Sequence, residues 1–165
     1  MNNQVGFMKY LFFVLGINLF AISAHCWTKT VQVDKMTDTK FVQFGVFSKN
    51  KVFSSKKAAL VVAVDCSNSE NSLYLSHPWI VGKAPVQLRL DKEEIFSAYA
   101  KPGNDKKTLV IGDSTASDQG TPEALVKKML SKKSLVVQYS EAGGKLVQAE
   151  FKIDGLDKRL VSACK

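Results

Sequence analysis

Ser134-Leu135-Val136-Val137-Gln138-Tyr139, then Ala142-Gly143-Gly144, then Leu146-Val147-Gln148-Ala149-Glu150-Phe151-Lys152-Ile153 is the stretch that decides how this chain folds. Two runs rich in β-branched and aromatic residues flank a turn of small residues, which is the punctuation of a β-hairpin. The second run alternates: Leu146, Gln148 and Glu150 on one face, Val147, Ala149 and Phe151 on the other. One side of such a strand packs and the other meets water. A short connection forces the two strands antiparallel.

Reading outward, most of the chain follows suit. Trp27–Val33 alternates, with Val31 and Val33 on one face. Residues 41–47, 72–75, 95–99 and 108–111 are short strand-like runs, several bounded by turn-rich segments such as Ser67–Asn71 and Pro102–Asp105. Val86, Leu88 and Leu90 oppose Gln87, Arg89 and Asp91. Ala58–Val64 is continuously apolar, the pattern of a strand buried on both faces. One segment reads as helix, about 121–131. Thr121 is its N-cap, Pro122 its first residue and Glu123 the acid of its first turn, and paired lysines stand near its C-terminal end. Gly155-Leu156 opens a short helix towards Cys164. The expectation is one α+β domain over 27–165, built on a mainly antiparallel, sandwich-like sheet.

The N-terminus has a different chemistry. Residues 1–24 hold one charge, Lys9, before an apolar run from Tyr10 to Ala21 broken by Asn18, and end in Ser23 and Ala24. That order predicts a signal peptide cleaved between Ser23 and Trp27, and the run is shorter than the roughly 20 residues a membrane-spanning helix needs. The expected location is therefore periplasmic or secreted. Cys66 closes the most apolar run and Cys164 follows the apolar Leu160, Val161 and Ala163, so a Cys66–Cys164 disulfide would tie the end of the chain to the core. A metal site is the rival use of these cysteines, but they lie far apart with no paired spacing. Cys26 is then an odd thiol or part of the discarded segment.

The formal net charge of +8 is spread over pairs such as Lys56-Lys57, Lys106-Lys107, Lys127-Lys128 and Lys132-Lys133. It suits a solvated surface or an anionic envelope partner, and no nucleic-acid motif accompanies it. His77, in Ser76-His77-Pro78-Trp79, lacks a nucleophile or acid motif beside it. Glu93 and Glu94, read as neighbours on a strand, point to opposite faces. No phosphate loop, nucleophile elbow, cofactor motif or metal motif occurs, so no catalytic residue is expected. Trp27, Trp79, Phe96 and Tyr99 read as core, or as an aromatic ledge for a glycan. Arg89, Asp91 and Trp79 are the candidate partner contacts, with a structural Arg89–Asp91 ion pair as the competing role.

The sequence order is Trp27, Asp34–Lys40, the run ending at Cys66, Arg89-Leu90-Asp91, Ser114 before the 121–130 helix, Val136–Tyr139, Phe151–Leu156 and Ala163-Cys164. It resembles the exported VasI/TagO-like accessory proteins associated with type VI secretion, over nearly all of 27–165. Where that family carries a further cysteine-containing segment before the tryptophan, this chain has only Cys26. The resemblance implies a non-enzymatic envelope accessory that binds an envelope protein or anionic envelope component. On that expectation the membrane is met only through the signal peptide. The competing class is a peptidoglycan-acting hydrolase or its inhibitor, or a secreted effector.

Overall fold

A computed structural model describes residues 27–52, 56–76, 84–103, 105, 107–112, 120–141 and 144–165, and among these it shows nine strands and two short helices. The strands are β1 (Thr28–Val33), β2 (Lys40–Phe47), β3 (Ala59–Asp65), β4 (Glu70–Ser76), β5 (Ala84–Leu90), β6 (Phe96–Pro102), β7 (Thr108–Ile111), β8 (Ser134–Ser140) and β9 (Leu146–Lys152). The helices are α1 (Pro122–Met129), between β7 and β8, and α2 (Leu156–Val161), after β9. All nine strands form one sheet in the order β1-β2-β3-β4-β7-β6-β5-β8-β9, and every neighbouring pair is antiparallel. The α+β, mainly antiparallel expectation describes this fold. Residues 1–24, where a signal peptide is expected, lie outside the described residues.

The opening hairpin pairs Ser134 with Lys152 through to Ser140 with Leu146. Gly144, with φ +81°, takes the left-handed turn position that a side chain would strain. Burial alternates along most strands: Leu135, Val137 and Tyr139 face Val147, Ala149 and Phe151 within the core. The Ala58–Val64 run departs from its expectation. Leu60, Val62 and Val64 are buried, but Ala59, Val61 and Ala63 are only half-buried. Both faces of a strand are sealed only when layers pack on each side. On the outer face of β3, Val61 lies between Gly45 of β2, which has no side chain to cover it, and Tyr74 of β4.

Two helices of eight and six residues cannot cover one face of nine strands. The sheet covers that face by folding on itself. The chain leaving β2 reaches the free edge of β9: the Lys49 N–H donates to the Glu150 carbonyl at 2.6 Å. Asn50 then stands in for a strand residue, its Nδ2 donating to the Gln148 carbonyl at 2.8 Å and its Oδ1 accepting from the Glu150 N–H at 2.9 Å. Ser48, fully buried, is satisfied by accepting from the Ala58 N–H and donating to the Asn50 carbonyl. Because β9 is taken up in this way, β1 is left outside the closure. Val31 and Val33 share a face as expected, yet both are about half exposed.

The Thr121 cap forms as expected, its Oγ1 accepting from the Ala124 N–H. α1 packs Leu125, Val126 and Met129 inward, against β4. Among the described residues no helix is long and apolar enough to cross a membrane.

Candidate functional site

An all-antiparallel strand order fixes which connections share an end of the sheet. The turns β1–β2, β3–β4 and β5–β6, together with α1 and α2, lie at one end, the helix end. The connections β2–β3, β4–β5, β6–β7 and β8–β9 lie at the other, the loop end.

At the helix end, Cys66 follows β3 and Cys164 follows α2, and they are disulfide-bonded with their Cα atoms 5.4 Å apart. Asp91 leaves β5 with φ +47°. That turn takes it off the outward face it would share with Arg89 and aims its carboxylate at the start of β8. Oδ1 accepts from the Lys133 N–H at 3.0 Å, the Ser134 N–H at 2.8 Å and the Ser134 hydroxyl at 3.1 Å. These hydrogen bonds, the Ser134 N–H foremost, hold the Asp91 carboxyl below its ordinary pKa. Arg89 is exposed, and its Nε donates to the Glu93 carbonyl at 3.2 Å. Of the two roles the sequence leaves open for Arg89 and Asp91, partner contacts or a mutual ion pair, the ion pair is not what forms: the two side chains go to different partners. Glu93 and Glu94 lie in the β5–β6 turn rather than on a strand, and Glu93 forms an ion pair with Lys132.

The loop end is chemically different. Lys49, Lys51, Lys56, Lys57, Lys107 and Lys145 all stand in its connections, and all but the half-buried Lys57 are exposed. Its two described acids are both engaged or hidden. Asp105 Oδ1 accepts from the Lys107 and Thr108 N–H groups, and Oδ2 from the Thr108 hydroxyl. Glu141 is 6% exposed and its Oε1 is buried without a hydrogen-bond partner among the described residues. Two residues before it on the same face, Tyr139 is buried; burial, and then the Glu141 carboxylate, push its phenol above the ordinary value. Sequence reasoning missed Glu141, although the inward series Leu135, Val137, Tyr139 extends to it.

The aromatic set divides. Trp27 is buried in the core and its Nε1 donates to the Ile153 carbonyl at 3.4 Å. Phe96 packs against the core with Lys128 Nζ 4.8 Å from its ring centre, and Tyr99 is partly exposed. These three do not make one ledge. His77 and Trp79 lie outside the described residues. Among those described, no three His, Cys, Asp or Glu side chains gather as metal ligands.

Comparison with known proteins finds no match: no family model, curated protein or solved structure aligns with the chain.

Proposed function

We propose that this chain is an exported, non-enzymatic binding module of the cell envelope, serving as an accessory of a type VI secretion apparatus. The observation that carries the export reading is the Cys66–Cys164 bridge. Such a bond is kept in the periplasm or outside the cell and is reduced in the cytosol. The N-terminal apolar segment supports the same route, and the resemblance to VasI/TagO-like proteins supplies the secretion context.

The binding reading draws on how the polar groups are used. Asp91 and Asp105 spend their oxygens on backbone N–H groups, as turn and strand caps. Among the described residues, the exposed lysine side chains of the loop end form no ion pair with an acid. A partner bearing negative charge fits that surface.

The test is turnover. Purified protein incubated with peptidoglycan fragments is expected to leave them intact, and His77→Ala is expected to change nothing. Release of fragments that is lost in His77→Ala would establish the hydrolase class instead.

A further inference from the structure

Among the described residues β1 is paired along one edge only. β2 meets it from Thr28 to Val33, and no described element lies along its second edge. The ladder fixes which groups that open edge presents. The Asp34 N–H donates to the Thr39 carbonyl at 2.9 Å, whereas the Lys40 carbonyl turns to β3 and accepts from the Cys66 N–H. Backbone groups alternate sides along an antiparallel strand. Thr28, Thr30 and Gln32 therefore bond to β2, and the N–H and C=O groups of Lys29, Val31 and Val33 point out from the edge of the sheet.

Soluble proteins guard an edge strand with proline, a bulge or charges turned to the edge. The register of β1 with β2 runs unbroken, and the strand holds no proline. Its single charge, Lys29, leans away from the edge, with Nζ 6.0 Å from the ring centre of Phe44, the β2 residue opposite it. Val31 and Val33 are half exposed beside the open backbone groups. They share the side of the sheet on which Lys40, directly opposite Val33, donates from Nζ to the Lys165 carbonyl. The C-terminal segment there leaves them uncovered.

We propose that this edge pairs with β1 of a second copy, antiparallel about a twofold axis through Val31. The strand's own sequence selects that occupant. About this axis Val31 meets Val31 of the partner subunit and Lys29 meets Val33 of the partner subunit. All three outward residues of each strand then pair, and six hydrogen bonds form. An axis at residue 30 or 32 leaves one outward residue of each strand beyond the end of the other, and an axis at Lys29 sets like charges face to face. Two copies that each carry a formal charge of +8 need a neutral seam, and Thr30-Val31-Gln32 supplies it. The two Lys29 residues then stand about 14 Å apart, beyond the screening length of roughly 8 Å at physiological salt. The seam is about 20 Å long, less than a standard interface offers, so the dimer is reversible and concentration-dependent. This goes beyond the envelope-binding reading and does not depend on it.

Sedimentation equilibrium of the full-length, disulfide-bonded chain is expected to show a monomer–dimer equilibrium. Val31→Lys and Val31→Glu each set like charges opposite one another at the axis, and each is expected to weaken the dimer about tenfold. An equimolar mixture of the two variants is expected to recover to within about threefold of the unsubstituted chain, which also shows that both fold. Val31→Pro removes a donor aimed at the partner subunit and none that bonds to β2, so it is expected to abolish the dimer. Leu146→Lys puts the same charge on an exposed apolar residue of β9 and is expected to shift the equilibrium less than about threefold. Hydrogen exchange reads the alternation: the Lys29, Val31 and Val33 amides gain protection as concentration rises, while those of Thr30 and Gln32 are protected throughout. A chain that stays monomeric up to about 1 mM would overturn the proposal. Protection of the three outward amides in that monomer would give the edge to residues 1–26 of the same chain. Association that survives Val31→Lys and Val31→Pro unchanged, as association through the apolar N-terminal segment would, also overturns it, and so does a mixture of the charge variants that fails to recover.

Discussion

Cys164→Ser, or reduction of the Cys66–Cys164 bond, is expected to destabilise the protein by about 4–5 kcal/mol, the chain-entropy cost of opening a loop of about 100 residues. The two cysteines are 98 positions apart, so the bond restricts most of the unfolded domain. The native state has little to replace it with. α2 is six residues long, and beyond it only Ala163 is buried, while Val161 is 72% exposed. A terminus held by so little area frays when its tie is cut. Urea unfolding with and without reductant measures the total, and hydrogen exchange should show residues 156–165 loosening before the hairpin of β8 and β9. A loss below about 1 kcal/mol would mean that packing alone holds the C-terminal segment, since that is far under the usual range for a native bridge.

Trp27→Ala is expected to cost about 3–5 kcal/mol, the range for emptying a large aromatic site in a core. Trp27 is 5% exposed and reaches across 126 residues to the Ile153 carbonyl. It anchors the entry to β1, a strand whose remaining side chains are mostly exposed, to the turn between β9 and α2. Trp27→Phe keeps most of the apolar volume and loses the hydrogen bond, so a smaller cost of about 1 kcal/mol is expected. Equilibrium unfolding of the two variants separates these contributions. Equal costs would assign the role of Trp27 to its hydrogen bond rather than its packing.

The strands were legible because alternation is a local signal. Val86, Leu88 and Leu90 face the core as their spacing predicts, and Thr121-Pro122-Glu123 begins a helix because each residue type answers a need of the first turn. What the sequence withheld depends on contacts between distant segments. The β4–β7 pairing and the return through β6 and β5 to β8 have no local marker, since β4 must pass over two strand positions to reach β5. Asn50 gives no periodic signal; its value lies in the edge of β9, a hundred residues away in sequence. Asp91 was misplaced because alternation extends a strand by one residue, whereas its positive φ ends the strand and redirects the carboxylate. The continuous apolar run of β3 overstated its burial, because composition reports how apolar a strand is and not how many layers cover it. That six lysines fall in alternate connections of the strand order was likewise invisible, as it follows from strand direction and not from neighbours in the chain.

The central claim is an exported module closed by its disulfide, and a non-reduced peptide mass map of the chain recovered from the envelope of producing cells tests it most directly. The account predicts an N-terminus between Ser23 and Trp27 and a single cross-linked peptide pair joining Cys66 to Cys164. A mature chain still carrying Lys9, free thiols at Cys66 and Cys164, or Cys26 bonded to either of them would contradict it.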